Sequence, residues 1–374
     1  MSSPIPRLAL SWATVALFLL FGKSMLAGAA SPAMGAALFA WLLGVILWSA
    51  FGVVHEAEEL AERLGEPYGT LVLTLAIVII EVALIAAVML GGSAVPTLGR
   101  DTMFAVLMIV LNGVVGLGLL IGGVRHHQQR FNLQGASAYL AVIIPLTVIA
   151  LVLPNFTTST RGGTLSPFQA GAFSLFTVAL YGLFLWLQTG RHSGFFQAVD
   201  HGARDGAVVV EADASPLPHA DAASGTTGRH FMLLLANILP IVILSKSLAR
   251  LLDLGIAALG APSAMGGIVI AMIVFTPEGI SALRAVAANQ LTRAINLCLG
   301  AATSTLGLTV PAVLLIGLLA GQPVVLGLSS ANMVLLSVTL ILNTLTFSGA
   351  RTTMLEGAVH LSLFFVFLVL VFSP

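Results

Sequence analysis

The feature that most constrains this chain is a series of long apolar runs, each close to 20 residues, that recurs from one end to the other. A helix of about 20 apolar residues spans the hydrocarbon core of a bilayer. Only 8% of the 374 residues are charged and 58% are apolar, whereas a soluble domain carries about 25% charged residues. This composition excludes a soluble enzyme, a nucleic-acid binder, a disordered chain and a collagen. The chain is predicted to be an all-α polytopic membrane protein.

The apolar runs predict eleven transmembrane helices. They cover residues 8–28, 35–54, 69–90, 101–123, 136–153, 168–187, 231–252, 264–284, 296–319, 328–346 and 354–372. Long runs joined by short links favour a helical bundle over a barrel, whose strands need only about ten alternating residues. Arg7 before the first run and Ala27-Gly28-Ala29 after it also resemble a signal peptide, although the length of the run favours a retained helix.

A polar stretch over residues 188–230 interrupts the apolar pattern. It contains five acidic residues, two prolines and a Ser-Gly-Thr-Thr-Gly segment, a composition typical of a flexible linker. The predicted organisation is therefore an extra N-terminal helix in 1–34, a five-helix unit in 35–187, the linker, and a second five-helix unit in 231–374.

The basic residues predict the orientation in the membrane. The N-terminus and every second connection together hold ten of the fifteen Lys and Arg residues. Because cytoplasmic loops carry the excess of Lys and Arg, the N-terminus and the linker are expected in the cytoplasm and the C-terminus outside. Net charge is zero, so bulk electrostatics indicate no acidic or basic partner, and the single cysteine, Cys298, gives no information on redox compartment.

The two five-helix units resemble each other. The third and eighth segments each carry one carboxylate in mid-span, Glu81 and Glu278, and the sixth and eleventh share Gly-Ala at 171–172 and 357–358. The fifth and tenth share Ser-Ala at 137–138 and 330–331. Because each unit has an odd number of helices, the second unit enters the membrane from the face opposite to the first. The pattern predicts an inverted repeat, a transporter architecture with its substrate site near the midplane.

Two carboxylates lie deep inside predicted spans, at equivalent positions of the repeat. A pseudo-two-fold axis brings Glu81 and Glu278 face to face, where they repel and where burial penalises their charge. A divalent cation relieves both costs, and so do protons. The pair is therefore predicted to bind a cation and protons in competition. A structural ion pair or helix–helix hydrogen bond is the alternative.

Neighbouring polar groups fit an oxygen-lined cation site. Pro277 removes a backbone donor and so frees a carbonyl near 272–273. The candidate supporting ligands are Thr276, Asn112, Thr303 and Ser304, and Thr305 follows the last two in the same segment. For any single one of them, helix packing is the more common explanation, since small polar residues let membrane helices approach closely.

Two blocks resemble a known family. They run from Gly65-Glu-Pro-Tyr-Gly69 through Glu81-Val-Ala-Leu-Ile, and from Thr276-Pro-Glu-Gly-Ile-Ser-Ala-Leu-Arg284 on to Arg293-Ala-Ile-Asn-Leu297. Both resemble blocks of the bacterial ChaA-type calcium/proton antiporters in the cation/calcium exchanger superfamily. The resemblance covers nearly the whole chain except the linker. It implies ten core helices in two inverted fives, essential cation-binding acids at Glu81 and Glu278, and a place in the bacterial inner membrane.

The sequence departs from this family at the cation site. Many exchangers carry Gly-Asn-Ala-Ala-Glu at each acid, but here the preceding positions are 77–80 and 274–277 without Asn or Gly. Calcium is the first expectation for the transported ion, and sodium or potassium is the alternative. No cofactor and no nucleic-acid partner are expected, only inorganic cations, protons and the bilayer.

Two further groups are candidates for assisting transport. Glu56, Glu58, Glu59 and Glu62 form an acidic stretch at the predicted cytoplasmic edge. They fit a solvated amphipathic helix, or alternatively a cation-attracting funnel. Glu356 and His360 are four residues apart on one helix face, which fits a proton relay or a structural pair.

Function is predicted as secondary antiport by alternating access. A passive cation channel would use the same site without coupling to protons. An intramembrane enzyme is disfavoured, because the sequence contains neither Gly-x-Gly-Asp nor Gly-x-Ser-Gly.

Overall fold

A computed structural model describes residues 4–28, 31–65, 68–90, 95–197, 224–349 and 351–373. In these residues eleven long helices coincide with the eleven predicted segments. They are α1 (Pro4–Gly28), α2 (Pro32–Leu64), α3 (Tyr68–Met89), α4 (Leu98–His126), α5 (Leu133–Asn155), α6 (Pro167–Thr189), α7 (Ser224–Leu259), α8 (Ala264–Ala287), α9 (Leu291–Ala320), α10 (Ser330–Thr346) and α11 (Met354–Phe372). Two short strands, β1 (Gln129–Arg130) and β2 (Arg351–Thr352), lie between helices.

Ten of these described helices are long and apolar enough to cross a membrane. The eleventh, α10, is also apolar but has only 17 residues, because the Ser329 side chain caps its first turn and the helix ends at Thr346. At 1.5 Å per residue it extends for about 25 Å, slightly less than the hydrocarbon core. The chain is an all-α polytopic membrane protein.

The largest differences from the predicted helix boundaries are in α2 and α7. Helix α2 continues to Leu64, beyond the predicted end of the segment at 54, and α7 begins at Ser224 instead of 231. The Ser-Gly-Thr-Thr-Gly segment assigned to the linker is therefore helical. Adding a turn to an existing helix costs little compared with nucleating one, so polar residues can extend an apolar span. The middle of the predicted linker, 198–223, lies outside the described residues.

The helices pack around two apolar clusters. Helices α2 and α7, the two longest, lie against each other, and α1 and α3 pack beside them. Their cluster includes the fully buried Ile46, Ile85 and Ile241. The second cluster fills the space between α4, α5, α8, α9 and α11, with Leu111 and Leu299 at its centre.

The two halves of the chain make matching contacts with each other. Helix α4 packs against α11, and its counterpart α9 packs against α6. Strand β1, in the α4–α5 connection, pairs antiparallel with β2, in the α10–α11 connection. The equivalent pairing with the halves exchanged is a single bridge between Thr164, in the α5–α6 connection, and Val325, in the α9–α10 connection.

Helices α4 and α9 also share an internal irregularity. Each is interrupted near its middle by a wide π turn, Ile109–Val114 in α4 and Thr305–Thr309 in α9. A third wide turn, Val148–Val152, lies in α5. The turn of α9 packs against α3, which carries Glu81, and the turn of α4 packs against α8, which carries Glu278. Such turns are frequent at functional sites.

Candidate functional site

Glu81 is buried in the middle of α3, with 1% of its surface exposed. Its Oε2 accepts hydrogen bonds from the hydroxyls of Thr305 at 3.0 Å and Thr309 at 2.8 Å. The other carboxylate oxygen, Oε1, has no hydrogen-bond partner among the described residues. One oxygen is thus held by protein, and the second is available to a ligand.

The two hydroxyls reach Glu81 because of the local structure of α9. Thr305 and Thr309 lie at the two ends of the wide turn, so both side chains emerge on the face that meets α3. Pro311, just beyond the turn, has no N–H to offer the carbonyl of Gly307, which weakens the regular helical ladder there. Gly307 itself lies against Tyr181 of α6, where an added Cβ would come within 2.7 Å of the tyrosine Cβ.

Glu278 is buried in the middle of α8, with 6% of its surface exposed. Its Oε2 has no hydrogen-bond partner among the described residues. Helix α3, which carries Glu81, packs against α8, so two like charges lie in neighbouring helices and repel each other. Pro277, immediately before it, leaves the carbonyl of Ile273 without its helical donor.

The two carboxylates have no cationic partner in the described part of the chain. The ion pairs there join Arg7 and His230 to Glu56, and Arg100 to Asp101. Two buried, mutually repelling carboxylates carry a large electrostatic cost unless a cation or protons neutralise them. The described residues contain no group of three or more His, Cys, Asp or Glu side chains arranged for a metal. A bound cation would therefore depend on carboxylate, hydroxyl and carbonyl oxygens together.

Three of the predicted supporting ligands use their hydroxyls within their own helix. Thr276 donates to the carbonyl of Met272 at 2.5 Å, Thr303 to that of Leu299 at 2.6 Å, and Ser304 to that of Ala301 at 3.0 Å. Thr303 and Ser304 are nonetheless next to the hydroxyls that do reach Glu81. In this structure the hydroxyls that donate to Glu81 are those of Thr305 and Thr309, and Thr303 and Ser304 stay predictions as cation ligands.

Asn112, the fourth predicted ligand, lies in the wide turn of α4 and is fully buried. Its side-chain amide donates to the hydroxyl of Thr339 at 2.8 Å, and its Oδ1 lies 3.1 Å from Nδ1 of His360. Both ends of the amide are therefore engaged by α10 and α11. In this structure Asn112 makes none of its described hydrogen bonds to Glu278.

Sequence reasoning placed Thr305 in the polar segment near the site but did not select Thr309, although a signal for Thr309 was present. Asn112 follows Glu81 by 31 residues, and Thr309 follows Glu278 by the same 31 residues. In an internal repeat, an equal distance from equivalent acids marks equivalent positions. Choosing Asn112 in one half therefore pointed to Thr309 in the other.

The predicted Glu356–His360 relay is not formed as a hydrogen-bonded pair. Glu356 accepts bonds from the backbone N–H and hydroxyl of Thr353, completing a capping box at the start of α11. His360 is 0% exposed and instead contacts Asn112 and Thr346. The four-residue spacing predicted a contact between Glu356 and His360. The Glu356 carboxylate instead accepts from Thr353 at the start of α11.

The acidic stretch predicted as a funnel or solvated helix divides into different environments. Glu56 is only 2% exposed, and its carboxylate lies 3.5 Å from Arg7 and 2.8 Å from His230, so neither assignment holds for this residue. It joins α1, α2 and α7, because one face of the extended α2 is covered by these helices. Glu58 and Glu59 are half-buried, and Glu62 is exposed.

Comparison with known proteins gives a consistent result. The sequence profile of the family described as sodium/calcium exchanger protein matches residues 34–190 and 229–373. The putative ionic transporter y4hA of Sinorhizobium fredii is 40% identical over 344 residues, which cover 92% of this chain and 90% of that protein. The sodium-potassium/proton antiporter ChaA of Escherichia coli is 38% identical over 328 residues, which cover 88% of this chain and 87% of that protein.

The fold also matches a solved structure. The structure of native YfkE superposes with a TM-score of 0.72 at 16% sequence identity, covering 98% of this chain and 100% of that one. At this level of identity the likeness concerns the fold, which the two proteins share over their full lengths.

Proposed function

This chain belongs to the sodium/calcium exchanger protein family, and from that premise we propose that it exchanges a cation, with Ca²⁺ as the first candidate, for protons. The family consists of secondary transporters and not of enzymes. Relatives named as cation/proton antiporters support antiport over passive conduction. The identity of the cation and the part played by each glutamate belong to the proposal.

The observation that carries the proposal is the buried pair Glu81 and Glu278 without a cationic partner in the described residues. Among the described residues each carboxylate has an oxygen free of hydrogen bonds, and the two like charges lie in helices that pack together and so repel each other. A cation and protons both neutralise this charge, and each excludes the other. Competition for one site is the minimum requirement for exchange by a single carrier.

Ca²⁺ is proposed first because the site offers hard oxygen ligands and two negative charges. Thr305 and Thr309 contribute hydroxyls beside Glu81, and the free carbonyl of Ile273 lies one turn before Glu278. Na⁺ or K⁺ is the second candidate. It is favoured by the printed name of the Escherichia coli relative, a sodium-potassium/proton antiporter. It is also favoured by the missing Gly and Asn residues before each acid.

The proposed architecture is two inverted five-helix repeats, α2–α6 and α7–α11, preceded by α1. The matching contacts of α4 with α11 and of α9 with α6 support it. So do the wide turns in α4 and α9 and the paired connections. The proposed orientation has the N-terminus and central linker in the cytoplasm and the C-terminus outside a bacterial inner membrane.

The proposed mechanism is alternating access to one site. In one state Glu81 and Glu278 face the cytoplasm and take up a cation, and in the other they face outward, release it and take up protons. Pro277 and Pro311 interrupt the helical ladders of α8 and α9 next to the site, which makes these positions candidates for bending. The Gly91-Gly92 pair, whose lack of side chains makes it a third candidate for bending, lies outside the described residues.

Glu58, Glu59 and Glu62 are proposed to attract cations on the cytoplasmic side. Helix α2, which carries them, packs against α8, which carries Glu278. Glu62 is exposed and Glu58 and Glu59 are half-buried, so the carboxylates lie between the exposed end of α2 and the buried site. Carboxylates in such a position raise the local cation concentration at low ionic strength.

The test is proton-gradient discharge in everted membrane vesicles. Ca²⁺, Na⁺ and K⁺ are added in turn to vesicles carrying the wild-type chain, Glu81→Gln or Glu278→Gln. The expected result is discharge by at least one cation, lost in both variants. Glu356→Gln is the matched control, because glutamine preserves the capping box of α11.

Three outcomes would contradict the proposal. The first is failure of all three cations to discharge the gradient in vesicles that contain the wild-type chain. The second is normal exchange by Glu278→Gln. The third is cation flux that moves no protons, which would identify a channel. Loss of exchange in Glu356→Gln would revive a proton relay through α11.

A further inference from the structure

Equivalent positions in the two halves of the molecule make different hydrogen bonds. Asn112 and Thr309 both lie 31 residues after the acid of their own half, each in a wide turn. Thr309 donates directly to Glu81. Asn112 makes its hydrogen bonds to α10 and α11, while Glu278 retains an unpaired oxygen. Some feature of the second half must account for this difference.

That feature is His360, a fully buried imidazole on α11. Its Nδ1 lies 3.1 Å from Oδ1 of Asn112, and its Nε2 lies 3.0 Å from the hydroxyl of Thr346. An amide oxygen only accepts hydrogen bonds, so Nδ1 carries the hydrogen. In the neutral ring Nε2 then accepts from Thr346, which fixes both the tautomer and the orientation of the ring.

No imidazole occupies the matching position in the first half. Aligning the Gly-Ala pairs at 171–172 and 357–358 places Ser174 of α6 opposite His360 of α11. The backbone carbonyl of Ser174 accepts from Thr177 within α6. Helix α6 packs on the wide turn of α9 as α11 packs on that of α4, so the ring at this position is found in the second half alone, and Thr309 donates to Glu81.

We propose that His360 is a positioning residue that holds the Asn112 amide away from Glu278 while the site is free of cation. Thr339 holds the other end of the same amide. When a cation enters, Asn112 leaves these partners, and its oxygen becomes a ligand beside Glu278. Cation binding therefore requires the His360–Asn112 hydrogen bond to break. This cost lowers the affinity of the site for the cation and favours its release.

The proposal rests on the proposed cation site and is tested by two conservative substitutions with opposite expectations. His360→Asn keeps a donor at the position of Nδ1, whereas His360→Gln keeps one near Nε2 and loses the bond to Asn112. Both variants are purified, reconstituted in liposomes and assayed for initial rates of proton-driven Ca²⁺ uptake, with Na⁺ and K⁺ replacing Ca²⁺ if these are the transported ions.

His360→Gln is expected to lower the KM for the cation roughly two- to tenfold, the worth of one net hydrogen bond. His360→Asn is expected to restore the wild-type KM to within about twofold, since the bond is retained. In an Asn112→Ala background, His360→Gln should change KM no further, because the amide it restrains is gone. A merely structural histidine would give the same change with and without Asn112.

Thr339→Val provides an independent variant on α10, should His360→Gln fail to fold. Valine removes the hydroxyl that accepts from the Asn112 amide but keeps nearly the same side-chain volume. The KM for the cation is expected to fall in this variant as well. Equal KM values for His360→Gln and His360→Asn, a raised KM, or a shift that persists without Asn112 would each overturn the proposal. If the wild-type chain exchanges no cation at all, the proposed function itself has failed.

Discussion

At the scale of single residues, neighbouring hydroxyls in α9 have different roles. Thr305 and Thr309 donate to the buried carboxylate of Glu81, whereas Thr303 donates to a backbone carbonyl of its own helix. A hydrogen bond to a charged group contributes about 1.5–3 kcal/mol, more than one between neutral groups. The first two hydroxyls therefore stabilise the charged form of Glu81, the form in which it is proposed to bind a cation.

Removing one of these hydroxyls should weaken cation binding. Thr309→Val keeps the shape of the side chain but deletes the donor to Glu81, and the KM for the transported cation is expected to rise by roughly tenfold. Transport kinetics in reconstituted liposomes measure this change. Thr303→Val, the same substitution one and a half turns earlier in α9, is the matched control. An equal increase in both variants would show that hydroxyl content and not the contact with Glu81 matters.

At the scale of helices, the wide turn of α9 depends on close packing with α6. Gly307 lies inside the turn, directly against Tyr181. Because no side chain separates the two helices, the backbone of α9 approaches α6 at the same level as the hydroxyls that hold Glu81. Small residues at helix contacts are the usual means of such approach in membranes.

Gly307→Ala should separate these helices and disturb the site. Its Cβ would lie 2.7 Å from the Cβ and Cγ of Tyr181, both close to the backbone and unable to move independently of it. Overpacking of this kind costs about 1–3 kcal/mol, so the melting temperature in detergent and the transport rate should both fall. Gly171→Ala on α6 is the matched control, since nothing lies within 4 Å of its added Cβ. Equal stability of the two variants would contradict this account of the packing.

At the scale of the whole molecule, two pairings join the halves through their connections. The β1–β2 pair links the α4–α5 and α10–α11 connections, and the Thr164–Val325 bridge links the α5–α6 and α9–α10 connections. In an inverted repeat these pairings lie at opposite faces of the membrane. Each would keep one end of the bundle together while the other opens.

Labelling of introduced cysteines tests this arrangement. His127→Cys, next to β1, and Arg161→Cys, next to Thr164, are both at exposed positions, and Cys298→Ala removes the native thiol from the background. An impermeant maleimide added to intact cells should label Arg161→Cys only, and permeabilised cells should show labelling of both. Labelling of both sites, or of neither, in intact cells would contradict opposite faces.

Proton competition is a property of the whole transport cycle. If protons and the cation occupy the same pair of carboxylates, lowering the pH should raise the KM for the cation, while the maximal rate at saturating cation changes less. Initial rates at matched pH on both sides of the liposome membrane measure this effect without a driving gradient. A KM that stays constant over a broad pH range would exclude a shared site.

The sequence by itself determined the class of fold and the position of the acidic pair. Apolar runs of bilayer length can be stable only as membrane helices, because the backbone polar groups must be satisfied inside the segment. All eleven segments were therefore predictable, and the family was recognisable from the resemblance of the two blocks that contain Glu81 and Glu278. Glu81 and Glu278 were identifiable because charge is so rare in these spans that each buried carboxylate demands an explanation.

Only the tertiary structure decided which side chains surround that pair. The wide turns change the phase of α4 and α9 by local hydrogen bonding that residue periodicity does not encode. As a result, Thr305 and Thr309 donate hydrogen bonds to Glu81, and Thr303 donates to a carbonyl of its own helix. Asn112 is hydrogen-bonded to His360. Glu356 likewise accepts from Thr353 at the start of α11, and Glu56 pairs with Arg7 and His230 on neighbouring helices. A sequence specifies which polar groups are present, but partners are set by competition among all groups within reach in the folded bundle.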